Sequence, residues 1–90
     1  MAIAYNRFND FAAMADYAIE WLSAGYKAEA SIYLEDSVCR PEITLYNERN
    51  DMIKLRWYTF AEEPGIDFYG KRARVEAREM AERFIAKLGD

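Results

Sequence analysis

Lys27-Ala28-Glu29-Ala30-Ser31-Ile32-Tyr33-Leu34-Glu35 places an apolar residue at every second position. Period two is the signature of a strand with one face buried and one face wet. Further along, Ile43 and Leu45 alternate with Glu42, Thr44 and Tyr46, and Ile53, Leu55 and Trp57 alternate with Met52, Lys54, Arg56 and Tyr58. Residues 36–41, which include Pro41, read as the first turn, and Asn47-Glu48-Arg49-Asn50-Asp51 as the second. The three runs predict an antiparallel meander. Core must face core across each pair. That sets Ile32 against Leu45 and Leu34 against Ile43, then Leu45 against Ile53 and Ile43 against Leu55. The same register brings Glu42 opposite Arg56, and Thr44 opposite Lys54 and Tyr33.

Outward from the meander, helical spacing takes over on both sides. From about Asn9 to Ser23, Phe8, Phe11, Ala12, Ala15, Ala18, Ile19 and Leu22 form one stripe, widened by Met14, Tyr17 and Trp21. Asp16, Glu20 and Ser23 mark its wet side. Asn9 reads as the N-cap, with Asp10 in the first turn, and Gly25 as the stop. From about Arg72 to Leu88, Ala73, Ala77, Met80, Ala81, Phe84, Ile85 and Leu88 form a second stripe. Residues 61–70 are a loop carrying Pro64 and Gly65, with room for a short strand at 66–69. The expected architecture is α+β in the order α-β-β-β-α. It is a three-stranded antiparallel meander with both helices on one face, in a single domain over residues 1–90. The other face of the sheet is expected to be solvated.

The chain has 90 residues, enough for one domain. A domain this small buries only about 60% of the surface that its unfolded form exposes, so large side chains matter. Seven Tyr, five Phe and two Trp supply them. Cys39 is the one cysteine, so no internal disulfide can form. That points to a cytoplasmic protein, as does an N-terminus without the layout of a signal peptide. No stretch approaches the roughly 20 apolar residues of a membrane helix.

Histidine is absent. That removes the Ser-His and Cys-His nucleophile pairs and the commonest general base. One cysteine without histidine cannot build the usual zinc or iron sites. The four glycines are isolated, and no phosphate loop surrounds them. Carboxylate pairs drawn from Glu62, Glu63 and Asp67 are the remaining route to catalysis, and a solvated acidic loop explains them as well. Cys39 beside Arg40 has no base to activate it and reads as a small turn or core residue. The expectation is therefore no enzyme, no cofactor and no metal.

Binding is the remaining role, and three surfaces qualify. The wet face of the sheet gathers Tyr33, Tyr46, Tyr58, Lys54 and Arg56, residue types enriched in binding hot spots. Lys71, Arg72 and Arg74 stand at the start of the last helix, against its dipole. Asp16 and Glu20 on the first helix, with Glu62, Glu63 and Asp67 in the loop, form an acidic set. A net charge of −4 disfavours direct contact with nucleic acid, where phosphate contacts dominate affinity. It suits a basic groove on a protein partner.

In size, acidity, missing catalytic groups and layout, the chain is similar to the small phage-encoded inhibitors of bacterial defence, the anti-CRISPR proteins among them. That resemblance implies an inhibitor that occludes a nucleic-acid-handling protein complex. The alternative is a self-associating structural or adaptor module of a phage or bacterium; the chain is expected to be a monomer or a homodimer. Its sheets would stack through the tyrosines, or pair edge to edge through the strand after Gly25 or the one before Ala61.

Overall fold

A computed structural model describes residues 3–57 and 68–88. The elements are β1 (Ile3–Phe8), α1 (Phe11–Ser23), β2 (Lys27–Glu35), β3 (Val38–Tyr46), β4 (Met52–Trp57) and α2 (Ala73–Leu88). The class is α+β, but among the described residues the sheet has four strands in the order β1-β4-β3-β2, and it is mixed. The expected three-stranded meander is its β2-β3-β4 part. β1 adds a parallel neighbour to β4, with Tyr5 beside Lys54 and Phe8 beside Trp57. In Ile3-Ala4-Tyr5-Asn6-Arg7-Phe8 the inward positions are Ala4, Asn6 and Phe8, so no apolar alternation announces a strand. Phe8, expected on the helix stripe, instead ends β1 and packs its ring 5.4 Å from that of Tyr17.

The α1 ends are set by local hydrogen bonds. Asp10, not Asn9, is the N-cap; its carboxylate accepts from the Ala13 N–H at 2.8 Å. At the other end the Gly25 N–H donates to the Leu22 carbonyl and the Tyr26 N–H to that of Trp21. This is a Schellman motif, and Gly25 holds the left-handed position it requires, with φ 101°. The buried face of α1 is turned from the expected stripe. Met14 and Ala18 are fully buried, and Phe11, Tyr17, Trp21 and Leu22 pack around them. Ala12 and Ile19 are exposed. The larger rings claim the sheet, because they remove more apolar area from water.

Two hairpins join the antiparallel strands. The first turns on Asp36 and Ser37 alone, both at positive φ (50° and 68°). Two successive left-handed residues make the tight turn that matches strand twist. β3 therefore begins at Val38, and the first hairpin is offset by four residues from the expected register. Ile32 meets Pro41 and Leu34 meets Cys39, while Ala30 and Ala28 face Ile43 and Leu45. Thr44 lies opposite Glu29, and Tyr33 opposite Arg40. The second hairpin holds the expected register throughout, including Glu42 with Arg56 and Thr44 with Lys54.

Pro41, expected in a turn, is buried inside a central strand. The β3–β4 ladder stops at Glu42, one residue before it. The Cys39 N–H on that side donates to the Phe68 carbonyl at 2.9 Å. Proline, which has no N–H to give, thus sits just beyond the last described pair of that ladder.

Both helices cover one face of the sheet. Ile43, Leu45, Leu55 and Trp57 meet Met14, Met80, Ala81 and Phe84 in one core. The Phe84 ring lies 4.4 Å from Phe11 and 4.8 Å from Trp57, joining α1, α2 and β4. Ala73 and Ala77 let α2 approach β3 closely, with Cys39 between them and Ile32.

Candidate functional site

On the face away from the helices, β-register lines up Ser31, Glu42 and Arg56 in one row and Glu29, Thr44 and Lys54 in the next. Glu42 is the centre. Only 3% of it is exposed, in the middle strand of the antiparallel part. A carboxylate so placed must be met by charge and by donors. Arg56 Nε donates to Glu42 Oε2 at 2.6 Å, and Lys54 Nζ stands 3.6 Å from Oε1. The Ser31 hydroxyl donates to Oε1 at 2.9 Å. Lys54 also donates to Thr44 Oγ1 at 2.7 Å, and Thr44 and Ser31 share a 2.9 Å contact. The Arg56 guanidinium lies 4.6 Å from the Tyr5 ring centre and 4.1 Å from that of Tyr33. Such stacking holds a cation flat on the sheet. At the margin, Glu35 faces Arg7 at 3.5 Å and Arg40 at 3.9 Å.

This arrangement corrects the expected solvated tyrosine face. Tyr33 is 8% exposed and Thr44 5%, while Tyr46 is half-buried. Lys54 and Arg56 lie down on the sheet and keep only 21% and 19% of their side chains in water. The long side chains spread over their neighbours, and Glu42 takes up the two cations that were to meet a partner. Tyr58, Glu62, Glu63 and Asp67 lie outside the described residues. Tyr5, which completes the stack on Arg56, was not anticipated, because it arrives on the unexpected strand. The signal for the network was the Glu42–Arg56 pair in the register.

Asp16 and Glu20 stand on the exposed side of α1, as expected. Between them is Ile19, 45% exposed, which the stripe had placed in the core. Residues 16, 19 and 20 share one face because they are three and four apart. Among the described residues neither carboxylate forms an ion pair.

Cys39 faces α2 and is 3% exposed. Burial pushes its thiol up from the ordinary value, and the charge of Arg74 offsets part of that rise. Of the two places expected for it, turn or core, it takes the core, inside β3. At the start of α2, Arg72 pairs with Glu76 across one turn at 3.8 Å, so the helix carries its own acid against the local cations. Among the described residues no group of three or more Cys, Asp and Glu could hold a metal ion. No described helix is long and apolar enough to cross a membrane. Set against protein-family models, curated proteins and solved structures, the chain matches none.

Proposed function

We propose that this chain is a non-enzymatic protein-binding domain that inhibits by occlusion, and that the acidic outer face of α1 is the surface it presents. The observation that carries this reading is Ile19, 45% exposed, with Asp16 and Glu20 exposed beside it on the same helix face. An apolar anchor with two carboxylates beside it, neither in an ion pair among the described residues, suits a lysine- or arginine-rich groove. The anchor gives affinity, and the acids steer encounter and reject wrong partners. A groove of that kind belongs to a nucleic-acid-handling complex, such as one used in bacterial defence, where the carboxylates stand in for phosphates. The net charge of −4 agrees with such a partner. The sheet face is the weaker candidate, because Glu42 already neutralises its cations.

The test is an affinity pull-down of the tagged chain from bacterial lysate, followed by variants on the retained complex. Ile19→Asp is expected to weaken binding about tenfold or more, as loss of a central anchor does. Asp16→Lys with Glu20→Lys is expected to slow association and to reverse its salt dependence. Binding unchanged in all of these, with the fold intact by circular dichroism, retires the α1 surface.

A further inference from the structure

The sheet has two outer strands, and β2 leaves its outer edge open among the described residues. Its backbone direction follows from the hairpin. The Cys39 N–H is turned away from β2 onto Phe68, so the pair Leu34–Cys39 is a non-hydrogen-bonded one. Leu34 therefore points its own N–H and C=O away from β3, and Ala28, Ala30 and Ile32 follow at period two. The side chains of these four residues lie on the helix side and carry no charge, proline or bulge. Natural sheet edges are usually guarded by such devices, and here the charges Lys27, Glu29 and Glu35 stand only on the other face of the strand. Leu34 is 59% exposed here.

We infer that a second copy of this chain pairs with β2 antiparallel, about a two-fold axis through Ser31. Full overlap of the nine-residue strand sets Lys27 opposite the second copy's Glu35, twice over. In that register Ala28 meets Leu34 and Ala30 meets Ile32, small side chain against large. These are also the residues whose backbone groups point outward, so every new ladder bond has a partner. Ser31 meets its own copy at the axis. Other registers do worse. A shift of one residue opposes outward groups with inward ones. A shift of two sets Glu29 against Glu35, or in the other direction loses the Lys27–Glu35 pair. A surface that complements itself under a two-fold is what a closed dimer needs.

The helices add an independent match. α2 lies over β2 and β3. With strands about 4.8 Å apart, the two copies of α2 run antiparallel at roughly 10 Å, a packing distance for helices. Arg78 and Glu82 line both the open groove beside Ala28 and Ala30 and the one beside Ile32. Their midpoint is therefore level with Ser31. The two-fold then brings Arg78 to the second copy's Glu82, and Val75, 47% exposed, to its Ile85. Val75, Arg78, Glu82 and Ile85 follow a 3-4-3 spacing, the seam of an antiparallel helix pair. The contact is separate from the proposed α1 surface and stands or falls apart from it.

The first measurement is molar mass by light scattering and sedimentation across a dilution series of the full chain. A dimer that dissociates on dilution is expected; a monomer at every concentration reached overturns the inference. Arg78→Glu sets like charges together at two places and is expected to raise the dimer dissociation constant about tenfold. Adding Glu82→Arg swaps the pair and is expected to restore wild-type affinity. Failure of the swap to restore it overturns the register. In a Cys39→Ala background, Ser31→Cys is expected to form a disulfide dimer on oxidation, since a non-hydrogen-bonded pair brings Cα atoms to about 4.5 Å. Glu29→Cys, opposite Tyr33 in the same register, is expected not to. Equal cross-linking of the two sides with random collision and overturns the register.

Discussion

On the helix side of the sheet, Ile43, Leu45, Leu55 and Trp57 meet Met14, Met80 and Phe84. On the other side, Glu42, Thr44 and Ser31 meet Arg56 and Lys54. Both sides are dry at their centres, with Ile43 at 0% and Glu42 at 3% exposure. They are dry for different reasons. The first is held by area removed from water, which is non-directional and lost in proportion to the atoms removed. The second is held by a carboxylate whose desolvation is offset only while each partner is in place. One sheet thus has a graded face and a face that fails when a single partner is lost.

The largest effect is expected on the graded side. Phe84→Ala removes a ring that bridges α1, α2 and β4, and should cost about 3–5 kcal/mol by chemical denaturation. Phe84→Leu should cost clearly less, because much of the volume is retained. On the other side, Glu42→Gln should cost about 2–3 kcal/mol, since two cations on a poorly hydrated surface lose their counter-charge. The comparison sharpens in a double-mutant cycle. Arg56→Met in the Glu42→Gln background should cost less than Arg56→Met alone, because the unpaired charge has gone. Equal costs would mean the two residues act independently, and the failure-prone face would not exist. Tyr5→Ala, at the margin of the network, should cost about 0.5–1 kcal/mol for one face of the Arg56 stack.

The smallest effect concerns the Cys39 thiol on the apolar side. Cys39 holds its proton above the ordinary thiol range. Above pH ~8.5 the unfolded thiol ionises while the folded one does not, so the native state binds more protons and stability falls as pH rises. Measured as the difference between wild type and Cys39→Ala, that fall should begin near this pH and end once the folded thiol also ionises. Labelling by a thiol reagent should be slow at neutral pH and should track unfolding. Rapid labelling of the native protein would place the thiol outside the core.

How much was legible follows element by element. α2 was readable to within a residue, because Ala73, Ala77, Met80, Ala81 and Phe84 keep one helical face without interruption. The β3–β4 register was readable because Ile43, Leu45, Ile53 and Leu55 admit one alignment with core facing core. The β2–β3 register was not. A tight turn on Asp36 and Ser37 lacks the glycine that announces left-handed residues, and Pro41 suggested a longer loop. β1 was hidden because an edge strand beside a parallel neighbour buries little, and its inward side offers Ala4, Asn6 and Phe8. The acids of α1 were legible from helical spacing. The exposure of Ile19 beside them was not, because Met14, Tyr17 and Trp21 compete for the same face.

Sequence alone determined the class, the two helices, three of the strands and the Glu42–Arg56 pairing, because those rest on periodicities that each segment carries by itself. Tertiary structure decided the fourth strand, the offset of the first hairpin and the burial of the supposed wet face. It also decided which rings of α1 reach the core and which strand edge stays open. Each of these depends on which distant segments compete for the same surface, and local pattern holds no record of that competition.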